Sequence, residues 1–280
     1  MIPLVYTEIN IKVNVGVTKG ESTKLEMAMS IEILRSMAKD GQVFSFNQLY
    51  QKTLIKKEVL RVMLARMEER GFIERIEKGK YMIIPLGSEK GKYTLHEFVI
   101  GSYLVEPSAI SYWSALHYYG MTEQIPSTVF VQTPTRKKKN LIKVFGVNYR
   151  IVQVKREKLF GLRKDWIEET PVNIADKEKT IIDCLDKPQY SGGIIEVAKA
   201  LKTGSLNYQR LCEYALKIGN YSVVRRLGYL TEQIGIELNL PRPKSRKYIP
   251  LDPTMPPASF NDPKWRLVIN LDSMLLGDLE

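Results

Sequence analysis

The hydrophobic and polar positions at the start of the chain change their period near Gly20. Over residues 5–17, apolar side chains recur at every second position, which predicts a half-buried strand. Beyond Gly20 they recur at helical spacing, and Thr23 with Glu26 forms a capping-box pattern at the predicted helix start. That helix is expected to end near Lys39, because Asp-Gly follows it.

The next stretch contains a strand, two helices and a hairpin in close succession. After a short apolar strand, Ser45 and Gln48 form a second capping box, which opens a predicted helix over residues 46–51. A turn leads to a third helix over residues 56–70, and two short strands around a Lys-Gly turn predict a hairpin over residues 72–84. The order helix, strand, helix, turn, helix, hairpin is typical of a winged helix-turn-helix, a DNA-binding module.

The third predicted helix has two different faces. At about 100° per residue, one face is apolar and is expected to pack on the first two helices; it comprises Leu60, Met63, Leu64 and Met67. Basic side chains occupy the other face near the helix start, the part that enters the major groove in helix-turn-helix docking. Hairpin lysines would reach neighbouring phosphates. The predicted DNA-binding residues of this domain are Lys56, Lys57, Arg61, Lys78 and Lys80.

A polar, glycine-containing stretch at residues 85–91 predicts a domain boundary. The first domain is placed at residues 1–88 and the second at residues 89–280. Helices of the second are predicted at 95–104, 108–119, 176–185, 193–201, 208–217 and 221–236, and strands at 128–132, 141–145, 149–154, 172–174 and 266–271. The predicted fold class is α+β: a winged helix-turn-helix followed by a mixed α/β domain that ends in helices.

The positive charge of the chain is concentrated in two short segments. The formal net charge is +11. Residues 136–164 hold eleven Lys or Arg and one acid, giving +10, and residues 242–247 add four positive charges, so the rest of the chain sums to −3. Such a concentration indicates an anionic partner. We expect a second contact to DNA here, through Arg136, Lys137, Lys138 and Lys139.

Six blocks of sequence occur in an order that resembles one known family. They are GFIERIEKGKYMIIPLG, EPSAISYWSALHYYGM, STVFVQTPTRKKK, VNIADKEKTIIDCL, VVRRLGYLTEQIG and DPKWRLVIN. This series resembles the AbiEi family, the antitoxin half of type IV abortive-infection toxin–antitoxin pairs. The likeness spans about residues 25–272, and the strand-like extension before it is not a feature of the family. That extension would either pair with a second copy or cover its own domain.

The resemblance to AbiEi proteins implies a function beyond what the patterns predict. It implies an N-terminal winged helix that represses the protein's own operon, and a C-terminal domain needed for antitoxicity and for cooperative DNA binding. The partner it implies is a nucleotidyltransferase-like toxin. It implies neither an enzymatic activity nor a cofactor.

Catalytic motifs are weak in this sequence. The enzymatic alternative is a metal-dependent nuclease, for which the candidate carboxylates are Asp165, Glu168, Glu169, Asp176, Glu178 and Asp183. The segment around Lys177 and Lys179 lacks an acid two positions before either lysine, so Asp176 is interpreted as an ordinary helix start. No HExxH, Walker, GxSxG or GxGxxG motif occurs, and the two cysteines form no metal-binding pair.

Several other residue groups have structural interpretations. Cys184 and Cys212 are expected to be free thiols in the core. The aromatic stripe of the helix over residues 108–119 is expected to be core, with His117 packed or hydrogen-bonded inside it. Arg225 and Arg226 lie in an apolar helix. One of these two arginines is expected to pair with a buried carboxylate such as Asp183.

The apolar runs are too short to span a membrane and the N-terminus lacks a signal-peptide pattern, so a cytoplasmic protein without a membrane partner is expected. Three functions remain in competition. The first is a sequence-specific DNA-binding autorepressor and antitoxin, and the second is an interaction module whose basic segment at 136–164 binds an acidic toxin or RNA. The third is the nuclease. The operator sequence, the existence of a toxin gene and the oligomeric state are left open.

Overall fold

A computed structural model describes residues 19–85, 87–89, 91–258 and 260–271. The chain divides into two compact units between Leu95 and His96, C-terminal to the predicted boundary at Ser88. The predicted strand over residues 5–17 lies outside the described residues. The architecture is mixed α and β in both units, and no helix in the described ranges is long and apolar enough to cross a membrane.

The described part of the N-terminal unit, from Lys19 onward, consists of three helices and a three-stranded antiparallel sheet of order β1-β3-β2. Its elements are α1 (Lys19–Ala38), β1 (Val43–Ser45), α2 (Phe46–Thr53), α3 (Lys57–Glu69), β2 (Ile73–Glu77) and β3 (Lys80–Ile83). The order along the chain is the one predicted. Helix α1 begins before Thr23, so the capping box predicted there is wrong: an N-cap residue must be non-helical, and Thr23 lies inside the helix.

Local chemistry explains both ends of α2 and the tip of the hairpin. The capping box predicted at the start of α2 is confirmed, since the Ser45 hydroxyl accepts the Gln48 amide while the Gln48 side chain accepts the Ser45 amide. Leu54 ends α2 in the left-handed region at φ 55° and is exposed. Gly79 takes φ 79° at the tip of the β2–β3 hairpin, a conformation that glycine adopts without strain.

The core of the N-terminal unit lies between its helices and the sheet. The apolar face predicted for α3 is confirmed, because its four members are at most 3% exposed. They pack with α1 and α2 residues and with strand residues; the cluster includes Ile33, Met37, Leu49, Leu60, Met63, Leu64, Met67, Ile73 and Tyr81. The exposed face of α3 is thereby fixed in one orientation.

The C-terminal unit is built on a six-stranded sheet of order β6-β7-β5-β4-β9-β8. Strand pairs β5/β7 and β4/β9 are parallel, and the other pairs are antiparallel. The sheet and its two flanking helices are formed by α4 (Glu97–Leu104), β4 (Ala109–Ile110), α5 (Tyr112–Tyr118), β5 (Thr128–Thr133), β6 (Leu141–Val144), β7 (Val147–Gln153), β8 (Leu162–Ile167) and β9 (Thr170–Ala175).

Helices dominate the rest of this unit, as predicted. They are α6 (Lys177–Asp186), α7 (Ile194–Thr203), α8 (Tyr208–Lys217) and α9 (Tyr221–Gln233), followed by a small sheet of β10 (Ile249–Pro250), β11 (Asn261–Asp262) and β12 (Leu267–Val268). The strand predicted over residues 266–271 is therefore shorter than expected. Single 3-10 turns precede β8 and α7, at Arg156–Lys158 and Pro188–Tyr190.

Two predicted elements of the C-terminal unit differ in the structure. The helix predicted over residues 108–119 begins at Tyr112, because Ala109 and Ile110 form a buried strand between β5 and β9. The expectation for His117 is also wrong, since its side chain lies on the exposed face of α5. Of the aromatic stripe, Tyr112 is fully buried and two other members pack partly buried against the core.

The buried charges of the C-terminal unit find partners other than those predicted. Asp183 forms an ion pair with Lys179 one helical turn away, and neither side chain is exposed. The Arg226 guanidinium donates to backbone carbonyls, as does that of Arg225, which lies 3.0 Å from the Lys247 oxygen. The predicted arginine–carboxylate pair is wrong: Asp183 pairs with the lysine of its own helix, and both arginines donate to backbone carbonyls instead.

Candidate nucleic-acid interface

The first turns of α3 present basic side chains that aromatic rings of α2 hold in place. The Lys57 ammonium lies 5.0 Å from the centre of the Tyr50 ring, and the Arg61 guanidinium lies 5.7 Å from that of Phe46. Such contacts cover the apolar stems and leave the charged groups in water. The Arg61 side chain is 65% exposed and lies 3.7 Å from a Glu58 carboxylate oxygen.

The hairpin places three further cations on its surface. Lys78 is exposed next to the glycine at the tip. The Lys80 ammonium is 3.0 Å from a Glu77 oxygen. The Arg75 guanidinium stacks 5.6 Å from the Tyr81 ring centre and lies 3.3 Å from a Glu68 oxygen.

Arg61 of α3 and the three hairpin cations share one groove. The groove has a volume of about 580 Å³ and is lined by Ser45, Phe46, Asn47, Arg61, Arg75, Lys78, Gly79, Lys80 and Tyr81. We call it the basic groove. The structure brings three predicted residues together there, namely Arg61, Lys78 and Lys80. Lys56 and Lys57 do not line it; both are exposed at the start of α3.

Arg75 belongs to the basic groove and was missed by the sequence analysis. It occupies the exposed central position of β2, between buried Ile73 and Ile76. The strand does not alternate strictly, because its register shifts between Arg75 and Glu77, so the sequence pattern gave no signal for this position. Two small apolar residues also lie exposed on α3 beside Arg61, namely Val62 and Ala65.

The surface keeps a positive excess despite local ion pairs. Three carboxylates contact the cations, from Glu58, Glu68 and Glu77. Six cations face them: Lys56, Lys57, Arg61, Arg75, Lys78 and Lys80. The Arg61–Glu58 pair is exposed and the other two pairs are partly exposed; exposed pairs contribute about 0–1 kcal/mol, so a phosphate can replace the Glu58 carboxylate at small cost.

The basic segment over residues 136–164 does not form one surface. Its first residues lie in the connection between β5 and β6, where Arg136, Lys138 and Lys139 are exposed while the Lys137 ammonium donates to the Leu104 carbonyl. Lys143 lies on β6, at the opposite side of the sheet from β8, which carries the last two basic residues. The high local charge of the sequence is thus divided over several sites.

Several of the carboxylates considered for a nuclease have structural roles. Asp176 caps α6 by accepting the Lys179 amide, as the sequence predicts. Burial raises its pKa, an effect that this bond and the Tyr214 hydroxyl oppose. Glu178 accepts the Asn207 amide at 2.7 Å. Within the described ranges, no group of three or more His, Cys, Asp or Glu side chains could hold a metal ion.

Comparison with known proteins identifies a similar fold. The crystal structure of the RV2827C protein from Mycobacterium tuberculosis superimposes with a TM-score of 0.61 at 16% identity, covering 88% of this chain and 93% of that chain. At this identity the similarity concerns the fold alone. No protein-family model matches the chain, and no curated protein sequence matches it.

Proposed function

We propose that this protein is a sequence-specific DNA-binding transcription regulator. Its N-terminal unit would act as a winged helix-turn-helix, with α3 as the recognition helix and the β2–β3 hairpin as the wing. The observation that carries the proposal is the basic groove, where Arg61 of α3 meets Arg75, Lys78 and Lys80 of the hairpin.

The proposed docking divides the groove residues by role. The exposed N-terminal half of α3 enters the major groove, where Arg61 donates to a guanine edge. The hairpin cations contact phosphates and set the register of the protein on the duplex. The buried face of α3 keeps this geometry rigid, because its four apolar residues are held in the core.

The first experiment measures equilibrium binding of the full-length protein to DNA from upstream of its own gene, with a scrambled duplex as the reference. The logarithm of the affinity falls with the logarithm of the salt concentration, with a slope of about 0.9 for each phosphate that the protein contacts. We expect strong preference for the upstream DNA and a slope of several contacts. Equal, weak binding to both duplexes would contradict sequence-specific recognition.

Single substitutions on α3 locate the interface. Arg61→Ala and Lys57→Ala are each expected to weaken binding by about 1–3 kcal/mol if these residues read bases. Arg70→Ala is the matched control, since it removes an exposed charge at the far end of the same helix, about 13 Å further along its axis. Unchanged binding in both test variants would remove α3 from the interface.

We further propose that the protein represses its own operon in the cytoplasm and acts as the antitoxin of a nucleotidyltransferase-like toxin. The six ordered sequence blocks that resemble AbiEi proteins support this half of the proposal. Replacing Arg136, Lys138 and Lys139 by alanine tests the role of the exposed connection between β5 and β6. Retained DNA affinity with failed toxin neutralisation would assign these residues to the toxin, whereas loss of DNA affinity would assign them to DNA.

A further inference from the structure

A second concave site lies within the C-terminal unit, at the carboxyl ends of the parallel strands β5 and β7. Four segments of chain converge there: the residues before β4, those after β5, those after β7 and the end of α6. They enclose an open cleft of about 720 Å³, lined by Pro107, Pro134, Thr135, Gln153, Val154, Lys155, Arg156, Lys158 and Lys187. We call it the strand-end cleft.

The lining of the strand-end cleft contains four cations and no carboxylate. One of them has a structural role. The Lys158 ammonium lies 2.7 Å from one Asp186 oxygen, with both side chains largely buried, and Asn220 donates to the other oxygen at 2.6 Å. This contact fastens the 3-10 turn to the end of α6, so the position of the other cations in the turn is fixed.

The other three cations are Lys155, Arg156 and Lys187. The Lys155 ammonium lies 3.8 Å from a Glu157 oxygen, but both side chains are more than two-thirds exposed, so this contact is weak. The Lys187 ammonium lies at the outer limit of a ring contact, 6.0 Å from the centre of Tyr190. In the part of the chain that the structure describes, no carboxylate lies within ion-pair distance of Arg156. Three positive charges from two segments are therefore available to one ligand.

The rest of the lining is apolar with one amide group. Pro107, Pro134 and Val154 provide apolar contact area, and Gln153 is exposed at the carboxyl end of β7. Its amide can both donate and accept hydrogen bonds. A ligand that fits this combination has several negative charges at one end and an apolar, planar part with polar edges at the other.

We propose that the strand-end cleft binds a nucleoside polyphosphate. Lys155, Arg156 and Lys187 bind its phosphates, and the base lies against the two prolines with Gln153 at its polar edge. The volume falls within the range of about 300–1,000 Å³ typical of small-ligand sites, and crevices at strand carboxyl ends are their usual place in α/β sheets. The site belongs to the C-terminal unit and does not depend on the proposed DNA contact.

A nucleic-acid strand fits this cleft less well than a mononucleotide. Grooves that bind single strands follow the backbone and stack successive bases on aromatic side chains. The strand-end cleft has no aromatic residue in its lining, and its cations converge on one volume. A free nucleotide needs only that single cluster of charges.

The test is direct binding to the full-length protein, with ATP and GTP as probes. Inorganic triphosphate, adenosine and a single-stranded oligodeoxynucleotide are measured alongside. We expect one saturable nucleotide site per chain, weaker binding of triphosphate and no detectable binding of adenosine. The double variant Arg156→Ala/Lys187→Ala is expected to lose about tenfold or more in nucleotide affinity, because two charge-assisted contacts are removed.

Two further variants make the result specific. Arg163→Ala/Lys164→Ala removes the same two charge types from β8, outside the lining, and is expected to change nucleotide affinity less than about twofold. Arg156→Lys/Lys187→Arg keeps the charge and is expected to retain most of the affinity, which separates a binding defect from a folding defect. The proposal is overturned if neither nucleotide binds at about 1 mM, a binding free energy of about −4 kcal/mol. Equal losses of nucleotide affinity in the test and control variants would also overturn the proposal. So would an oligonucleotide that binds the cleft more tightly than the nucleotides do, displacing them at a lower concentration than theirs.

Discussion

Tyr149 on β7 is fully buried, and its hydroxyl has no hydrogen-bond partner in the described ranges of the chain. An unsatisfied buried polar group costs about 1–3 kcal/mol. Burial raises the pKa of Tyr149 above its usual value, and the charge of Glu97 adds to this effect. The hydroxyl therefore lowers stability at neutral pH, and it does so more strongly once tyrosine ionises in the unfolded chain.

Tyr149→Phe is accordingly expected to stabilise the C-terminal unit by about 1 kcal/mol at pH 8. The pKa of the Tyr149 hydroxyl is higher in the folded protein than its value near 10 in the unfolded chain. With respect to this hydroxyl, the wild-type protein therefore keeps its full stability below about pH 10. Above about pH 10 it loses about 1.4 kcal/mol of unfolding free energy per pH unit, because the tyrosine ionises in the unfolded chain. The advantage of the variant should therefore grow at pH 11, as measured by urea unfolding. Tyr221→Phe, at an exposed site, is the control. If Tyr149→Phe stabilised the protein equally at pH 8 and pH 11, the raised pKa of the Tyr149 hydroxyl would be contradicted.

Val62 is half exposed on α3, next to Arg61 and one helical turn from Ala65. In the proposed docking these small apolar groups face the major groove, where the methyl group of thymine is the apolar feature. Replacing thymine by uracil throughout the bound DNA is expected to weaken binding, by about 1 kcal/mol for one lost contact. Val62→Ala should remove most of this sensitivity, measured by competition between the two DNAs. Equal sensitivity in both proteins would exclude Val62 as the reader.

At the scale of elements, Arg226 joins α9 to two other parts of the C-terminal unit. Its guanidinium donates to the Leu185 carbonyl at the end of α6 and to the carbonyls of Pro250 and Leu251, at 2.8, 3.4 and 2.9 Å. A planar guanidinium can serve three acceptors in a fixed geometry, which an ammonium does less well. The residue thus links the C-terminal end of α6 to the segment at β10 through its side chain.

Arg226→Met is expected to destabilise the C-terminal unit by about 3 kcal/mol or more, since three carbonyls lose a charged donor. The neighbouring change Arg225→Met removes one such bond, to the Lys247 carbonyl, and should cost about 1 kcal/mol. Denaturant midpoints of the two variants provide the measurement. Similar costs would mean that the three bonds of Arg226 contribute no more to stability than the single bond of Arg225.

Elements with one buried and one exposed face could be predicted from the sequence. Elements whose formation depends on pairing with distant parts of the chain could not. Helices α3 and α8 were placed within about one residue of their bounds, because a single apolar face is repeated along them. Strand β8 was missed. It is an edge strand with no fully buried residue, so its sequence shows no alternation of apolar and polar positions. Its existence depends on pairing with β9.

The same distinction between local pattern and tertiary contact applies to the residues of the candidate sites. The cations at the start of α3 and at the hairpin turn could be predicted, because each lies at a recognisable place in a local motif, whereas Arg75 in β2 was missed. Lys187 could not, since it lies outside the basic segment of the sequence and joins Lys155 and Arg156 only through the fold. The charge total of residues 136–164 indicated an anionic partner, but it could not show that the segment is divided over several parts of the sheet.

At the scale of the whole molecule, each unit has a hydrophobic core of its own. All three tryptophans belong to the C-terminal unit: Trp113, Trp166 and Trp265. Tryptophan fluorescence therefore reports the unfolding of one unit, whereas far-ultraviolet circular dichroism reports both. We expect the two probes to give transitions that do not coincide, in contrast to a two-state protein.

Two core substitutions should separate these transitions. Leu64→Ala opens a cavity in the N-terminal core and is expected to lower its stability by about 2–5 kcal/mol without moving the fluorescence transition. Gly228→Ala is expected to shift the fluorescence transition by about 1–3 kcal/mol, because the added methyl group would lie 2.2 Å from the Trp265 ring. A shift of both transitions by either variant would show that the units unfold as one.

The two outer strands of the six-stranded sheet, within the described residues, have a consequence for solubility. Strands β6 and β8 end the sheet, and apolar side chains are exposed beside them, including Leu141, Phe145 and Trp166. A strand of another molecule could add to such an edge and begin aggregation. Lys143 on β6 and Lys164 on β8 oppose this addition by charge repulsion. We therefore expect that neutralising Lys143 and Lys164 reduces the solubility of concentrated protein even where thermal stability is unchanged.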